Sequence, residues 1–284
     1  MSLKMIYKNE LGEVIMHGSG ISQLRILGVE GLSLVEKEYS TAIFSGYDGQ
    51  QTLGSRAVAR TINLVLEAVG KNTESIVRNA LEVFGRSGVL YIENGVSNRR
   101  ICCNQIYIPD VTRILRRQIV SFAVQLVCDN PYFEDADDTV VPLYSREKLL
   151  STPFTLPTTF GRIVMGADIN VSGAISAEPV ITLYYPKALN GEEYVLITNK
   201  TTGKSIRLDY KPHTNDTVIV DIKNRMVTSS ISGNIINCIS DETFLGDFTL
   251  GKGYNFITVE AGDMDREFTV ECRYNNLYSE AVVV

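Results

Sequence analysis

The chain has 284 residues, 44% hydrophobic and 21% charged, the make-up of a folded soluble protein with room for two domains of ordinary size. Its net charge is −6, with 16 Lys/Arg against 17 Asp/Glu in the first 150 residues and 11 against 16 in the rest, so neither part is a basic module for nucleic acid or an anionic membrane. Five cysteines without metal-like spacing and two histidines argue against a disulfide scaffold, a zinc site and imidazole chemistry.

The opening MSLKMIYKNELG has no apolar signal core, and no run reaches the length of a transmembrane helix. Short strands are expected around Ser22 to Val29 and Thr41 to Phe44, followed by a loop from Ser45 to Gln50. From Arg56 to Val69, Ile62, Leu64 and Leu66 alternate with Thr61, Asn63 and Val65, which favours a long strand over a helix. Thr73 to Phe84 reads as a helix: Asn72 or Thr73 can cap it, Ile76, Val77, Ala80, Leu81 and Phe84 form one apolar stripe, and Gly85 stops it. Strands resume at Gly88 to Glu93, Arg99 to Pro109 and Ile119 to Cys128, and Asn130-Pro131-Tyr132 ends the last of them. The acidic, proline-punctuated stretch from Phe133 to Pro157 reads as a solvated passage between domains, without the glycine and ligand spacing of a calcium loop.

The second part is a series of short strands: Ile163 to Val171, Val180 to Tyr185, Tyr194 to Asn199, Lys204 to Tyr210, Val218 to Ile222, Arg225 to Thr228, Phe256 to Glu260 and Glu267 to Arg273. Turn dipeptides Asn190-Gly191, Thr202-Gly203 and Asn215-Asp216 separate them, as in an antiparallel sandwich. No helix of ordinary length is expected there.

Chemical readings are weak throughout. Gly246, Gly251 and Gly253 precede a strand, so they do not form a phosphate cradle, and no hydrolase elbow surrounds Ser19. Cys102 and Cys103 are adjacent in a strand and must face opposite ways, as must Tyr184 and Tyr185. A sugar-binding face would draw on Tyr184, Tyr185, Tyr210, Tyr254 or Tyr274, and Asp209 and Asp221 are the nearest approach to a carboxylate pair. Arg113, Arg116 and Arg117 form the one basic knot, either a solvated turn or a subunit contact.

The order of elements resembles the distal tail protein (Dit) family of long-tailed phages and prophages. The resemblance rests on Gly28-Val29-Glu30-Gly31-Leu32, Phe44-Ser45-Gly46-Tyr47-Asp48-Gly49, Arg60 to Leu64, the helix from Thr73, and Cys128-Asp129-Asn130-Pro131-Tyr132-Phe133. It continues in Ile197 to Gly203 and Leu250 to Val259. It implies a mainly β protein: a split-barrel-like, ring-forming N-terminal domain with one covering helix over 1–135, a linker over 136–154, and a galectin-like antiparallel sandwich over 155–284. It also implies a non-enzymatic hub at the distal end of the virion tail, made in the bacterial cytoplasm and needing no cofactor or metal. Its partners would be five further copies in a hexameric ring, the tail tube protein, a tail-associated lysin or spike hub, and a receptor-binding protein. A carbohydrate- or surface-binding module and a polysaccharide-acting enzyme are the alternative readings. Candidate interface residues are Tyr47, Asp48, Arg113, Arg116 and Arg117, with the segments Ser45 to Gln50 and Gly85 to Gly95. The Arg56 to Val69 and Ile119 to Cys128 strands are expected to pair or pack in such a ring.

Overall fold

The structure is a computed structural model that describes residues 3–18, 23–46, 48–70, 72–109, 111–114, 119–148, 161–188, 194–262 and 268–281. The chain divides into two compact units, Met1–Ala136 with Tyr278–Val284, and Asp137–Leu277.

The first unit contains β1 (Lys4–Asn9), β2 (Gly12–His17), β3 (Leu24–Glu30), β4 (Lys37–Ala42), β5 (Gln51–Ala57), β6 (Arg60–Val69), α1 (Thr73–Phe84), β7 (Gly88–Glu93), β8 (Asn98–Cys103), β9 (Gln105–Tyr107), β10 (Val111–Ile114), β11 (Ile119–Cys128) and β12 (Phe133–Asp135). One sheet runs β10-β11-β6-β3-β2-β1-β7-β8-β12, and β9 also pairs with β11. Because β9 begins only one residue after β8, the sheet path comes back to β11. Residues at every second position of β6 and β11 are buried, and the two strands pair antiparallel along their full length, from Ile119 opposite Val69 to Cys128 opposite Arg60. This pairing lies within one chain. The two strands expected to pair do so inside the chain: their inward stripes, Ile62-Leu64-Leu66 and Val120-Phe122-Val124-Leu126, belong to one core.

Helix α1 has the expected bounds and packs Val77, Ala80, Val83 and Phe84 into that core. Asn72 occupies the N-cap without a side-chain cap bond, and Gly85 ends the helix. Gly88 to Glu93 is a strand between β1 and β8, so the segment from Gly85 to Gly95 is not a surface loop. β1 and β2 were absent from the sequence reading. Met5 and Tyr7 of β1, like Met16 of β2, are fully buried, and the Tyr7 hydroxyl donates to Arg86 O at 2.6 Å.

The second unit contains β13 (Thr139–Lys148), β14 (Gly161–Val164), β15 (Gly166–Val171), β16 (Val180–Tyr185), β17 (Val195–Asn199), β18 (Lys204–Leu208), β19 (Asp216–Asp221), β20 (Met226–Ser229), β21 (Gly233–Asn234), β22 (Gly253–Ala261) and β23 (Thr269–Tyr274). They form two sheets, β14-β13-β23-β16-β19-β20-β21 and β15-β22-β17-β18, and the second core contains the inward side chains of both. Among the described residues its helical turns are short, Ile236–Cys238 and Leu245–Asp247.

The stretch read as a linker contributes β13 instead. Leu143 and Tyr144 are fully buried there, and Pro142 is accommodated where the register with β23 shifts. Glu134, read as solvated, pairs with Arg100 at 3.2 Å. At the other end, β24 (Leu277–Tyr278) takes its place beside β12, and residues 278–281 join the first unit.

Candidate assembly surface

Two kinds of feature stand out in the described residues: buried polar clusters under the recognisable sequence motifs, and exposed elements with no counterpart in either core.

The first cluster centres on Arg60, which is only 6% exposed. Its guanidinium donates to Pro131 O at 2.6 Å, Gly31 O at 2.6 Å, Ser33 O at 2.8 Å and Ser279 O at 2.7 Å, and lies 4.5 Å from the centre of the Phe133 ring. Burial pushes its pKa down, and nearby Glu280 opposes that. One side chain therefore ties together the Gly28 to Leu32 segment, the Asn130 to Phe133 segment and the returning C-terminal segment just after β24. Gly31 is required at its place: its φ is +89°, and a Cβ would sit 2.1 Å from Thr61 O. Nearby, Arg99 stacks on Tyr278 at 3.8 Å and donates to Glu280 O, while Ala281 N–H donates to Leu32 O at 2.9 Å.

In the second unit the two recognisable turns are held to each other. Asn199 and Asn255 are both fully buried, and Asn199 Nδ2 donates to Asn255 Oδ1 at 3.2 Å. Asn199 Oδ1 accepts from the Thr201 and Thr202 amides, and Asn255 Nδ2 donates to Gly251 O and Gly253 O. A third cluster surrounds Asp216, also fully buried, which accepts from Tyr210 Oη at 2.7 Å, Ser229 Oγ at 2.8 Å and Ser230 Oγ at 3.0 Å. Burial alone would raise the Asp216 pKa, but the hydroxyl donors outweigh it and hold the carboxyl below its ordinary 3.8. Sequence reading saw Asn215-Asp216 as a turn and missed the carboxylate's internal partners.

The outward feature is the β4–β5 ribbon. It is a two-stranded sheet on its own, exposed along almost all of both strands. Tyr39 and Leu53 are 61% and 63% exposed, and Ile43 and Phe44 at its end are 79% and 51% exposed. Glu38 and Arg56, opposite each other in register, form an exposed pair at 2.6 Å. Beside them, Tyr39, Ser40, Gly54 and Ser55 complete an open hollow of about 460 Å³. Asp48 is exposed in the ribbon's end turn, between the positive-φ glycines Gly46 and Gly49. Tyr47, Arg116 and Arg117 lie outside the described residues. Arg113 is placed by backbone on β10, at the end of the first unit's sheet order. The structure thus separates Asp48 and Arg113 onto different elements.

A second open hollow, about 570 Å³, is lined by Arg225, Ile236, Phe244, Gly246, Asp241 and Asp247 among others, but Asp247 is already paired with Lys204 at 2.8 Å. Among the described residues no three His, Cys, Asp or Glu side chains gather as a metal-ligand group. Of the tyrosines considered for sugar binding, Tyr185 and Tyr274 are core residues and Tyr210 serves the Asp216 cluster. Tyr184 and Tyr254 are exposed. Asp209 pairs with Arg207 and Asp221 holds Asn224, so each acid serves its own turn.

Residues 172–278 match the family described as siphovirus-type tail component, C-terminal domain. No curated protein matches the chain. Among solved structures, the chain is similar to the Dit protein of phage SPP1, described as a paradigm of the hub adsorption apparatus in phages infecting Gram-positive bacteria. That match has a TM-score of 0.63 at 11% identity, over 97% of this chain and 98% of that one. It is also similar to a chain of the phage P2 baseplate in its activated conformation with Ca, with a TM-score of 0.51 at 12% identity, over 97% and 98% of the two chains. The corresponding baseplate with Sr gives 0.51 at 13% identity, over 95% and 98%. The resemblance read from the motifs is borne out. At these identities the structural matches establish a shared fold, and the family match covers residues 172–278.

Proposed function

We propose that this chain is a structural, non-enzymatic subunit of a phage tail hub, located at the distal end of the virion tail. The observation that carries this reading is the end-to-end fold correspondence with a hub protein, 97% of one chain against 98% of the other, together with the tail-component match over residues 172–278. In finer terms, six copies form a ring between the tail tube above and a lysin or spike hub below, and receptor-binding proteins attach to that hub. The first unit is a split barrel: the return of β9 to β11 supports closure of its sheet. The second is a galectin-like sandwich, supported by its two antiparallel sheets.

A ring of identical subunits needs two different patches that meet around a closed cycle. The β4–β5 ribbon is one candidate, because an isolated two-stranded hairpin is marginal in water and gains order by lying on a neighbour. The open edge at β10 is the other. Asp48, with its chain neighbour Tyr47, is the candidate contact for the first patch, and Arg113 on the edge strand, with Arg116 and Arg117 after it in sequence, for the second. Light scattering and negative-stain imaging of the purified chain, alone and mixed with the tube protein, test this reading. Rings about six subunits in mass support it. A monomer that neither closes alone nor binds the tube protein overturns it.

A further inference from the structure

Cys103 and Cys128 are buried in the first unit's core, 2% and 0% exposed, and their Sγ atoms lie 3.6 Å apart. They sit at the ends of β8 and β11, where the sheet path comes back on itself. Asn104, immediately after Cys103, grips both neighbours of Cys128. Its N–H donates to Val127 O at 2.9 Å, and its Oδ1 accepts from the Asp129 amide at 3.1 Å. The two backbones are therefore already fixed in register around the sulfurs. Cys102 faces the other way and is exposed. Cys272 offers a contrast as a core cysteine: burial alone pushes its thiol up to about 12. For Cys103 the largest influence is the hydrogen bond shared with Cys128, ahead of burial, and its pKa is raised well above the ordinary value.

We infer that Cys103 and Cys128 are a latent disulfide, a modification site at which a peroxide-class oxidant joins β8 to β11. One sulfur attacks hydrogen peroxide, the O–O bond breaks, and a sulfenic acid and one water form. The second thiol then attacks that sulfur, the S–O bond breaks, and the hydroxyl leaves with the thiol proton as a second water. Two sulfurs are oxidised, two peroxide oxygens are reduced, and two thiol hydrogens end in water. Closure from 3.6 Å to about 2.05 Å is shared between two side chains and needs no change of strand register. The bond bridges a separation of 25 residues, so it restricts the unfolded chain substantially. Suppressed ionisation and burial keep the reaction slow, so the pair persists as thiols in a reducing compartment. Its service after release from a cell rests on the virion reading above; the cross-link itself belongs to the isolated chain.

The test is to expose the reduced, full-length chain to hydrogen peroxide under native conditions. The sample is then denatured in iodoacetamide and its peptides are mapped without reduction. We expect a Cys103–Cys128 linked peptide, Cys102 outside that link, and a calorimetric transition of the first unit raised by roughly 10 °C and restored by dithiothreitol. Cys102→Ser, at an exposed position, keeps both effects, and Cys128→Ser loses both. Recovery of Cys103 and Cys128 as alkylated thiols, or a link through Cys102, overturns the inference. Rings that assemble normally from a chain in which peroxide forms no link would overturn this inference and leave the hub reading standing.

Discussion

The Arg60 lock offers the sharpest test of how the first unit is held together. In Arg60→Ala, four carbonyl groups, those of Pro131, Gly31, Ser33 and Ser279, lose a charged donor at 2.6–2.8 Å. An orphaned buried carbonyl costs about 1–3 kcal/mol. The bond to Pro131 O is buried and the other three are partly buried, so one full penalty and three partial ones apply. With the lost stacking on Phe133, worth about 1 kcal/mol, the expected loss is about 4–5 kcal/mol. Arg60→Lys keeps the charge but replaces a planar fork with a point donor, and should lose about 3 kcal/mol. Calorimetry gives the stability change, and hydrogen exchange at Ala281, whose amide bonds Leu32 O, reports release of the C-terminal return. A loss below about 1 kcal/mol in Arg60→Ala, with Ala281 still protected, would refute the reasoning.

Gly31→Ala places a Cβ 2.1 Å from Thr61 O at φ +89°, so the chain should be recovered mainly in inclusion bodies, read by soluble yield. Asn255→Ala removes the Asn199 contact and frees the Gly251 and Gly253 carbonyls; denaturant titration should show a loss of about 2–4 kcal/mol in the second unit. The folded-state pKa of Asp216 lies below its ordinary 3.8, so its contribution is present above that pH and fades as pH falls through the folded value. Asp216→Asn should therefore destabilise most near neutrality, with the gap to the parent narrowing below about pH 4 in denaturation midpoints taken from pH 7 to 3. The double variant Tyr39→Ser, Leu53→Ser touches exposed positions only, so its melting temperature should stay within about 2 °C of the parent while ring assembly, read by light scattering, fails.

What the sequence revealed, it revealed through burial. β11 and β6 alternate because one face of each strand is in the core, and α1 is legible because one stripe of it is. The β4–β5 ribbon is exposed on both faces, so no burial imposes a pattern on it, and only a short strand at Thr41 to Phe44 and the Ser45 to Gln50 turn showed. β1 and β2 did carry a signal, Met5 and Tyr7, then Val14 and Met16 at spacing two around the Gly12 turn, but charged neighbours on six-residue strands obscured it. β13 was hidden by Pro142 and by the acids before it, and the proline proves tolerable because it sits where the ladder shifts. The return of residues 278–281 was beyond pattern reading: its partner Arg60 is 219 positions from Ser279, and a carbonyl group leaves no mark in sequence.

A lock of this kind is compatible with a shared fold at 11% identity. A lock built between two side chains constrains both positions, since changing either leaves the other unpaired. The Arg60 lock is addressed to main-chain oxygens, which every residue supplies. It demands one arginine, an aromatic ring beside it and a glycine where the chain passes closest, and leaves the identities of Ser33 and Ser279 unconstrained by this contact. Asn199 and Asn255 work in the same way, with most of their bonds directed at the main chain of the turns they close. Such a design fixes backbone paths with few letters and leaves the outward face, including the ribbon, outside these constraints. Substitutions at Ser33 and Ser279 that retain backbone geometry should thus be nearly silent where Arg60→Ala is severe. Equal losses from both would mean that the side chains, and not the carbonyls, carry the lock.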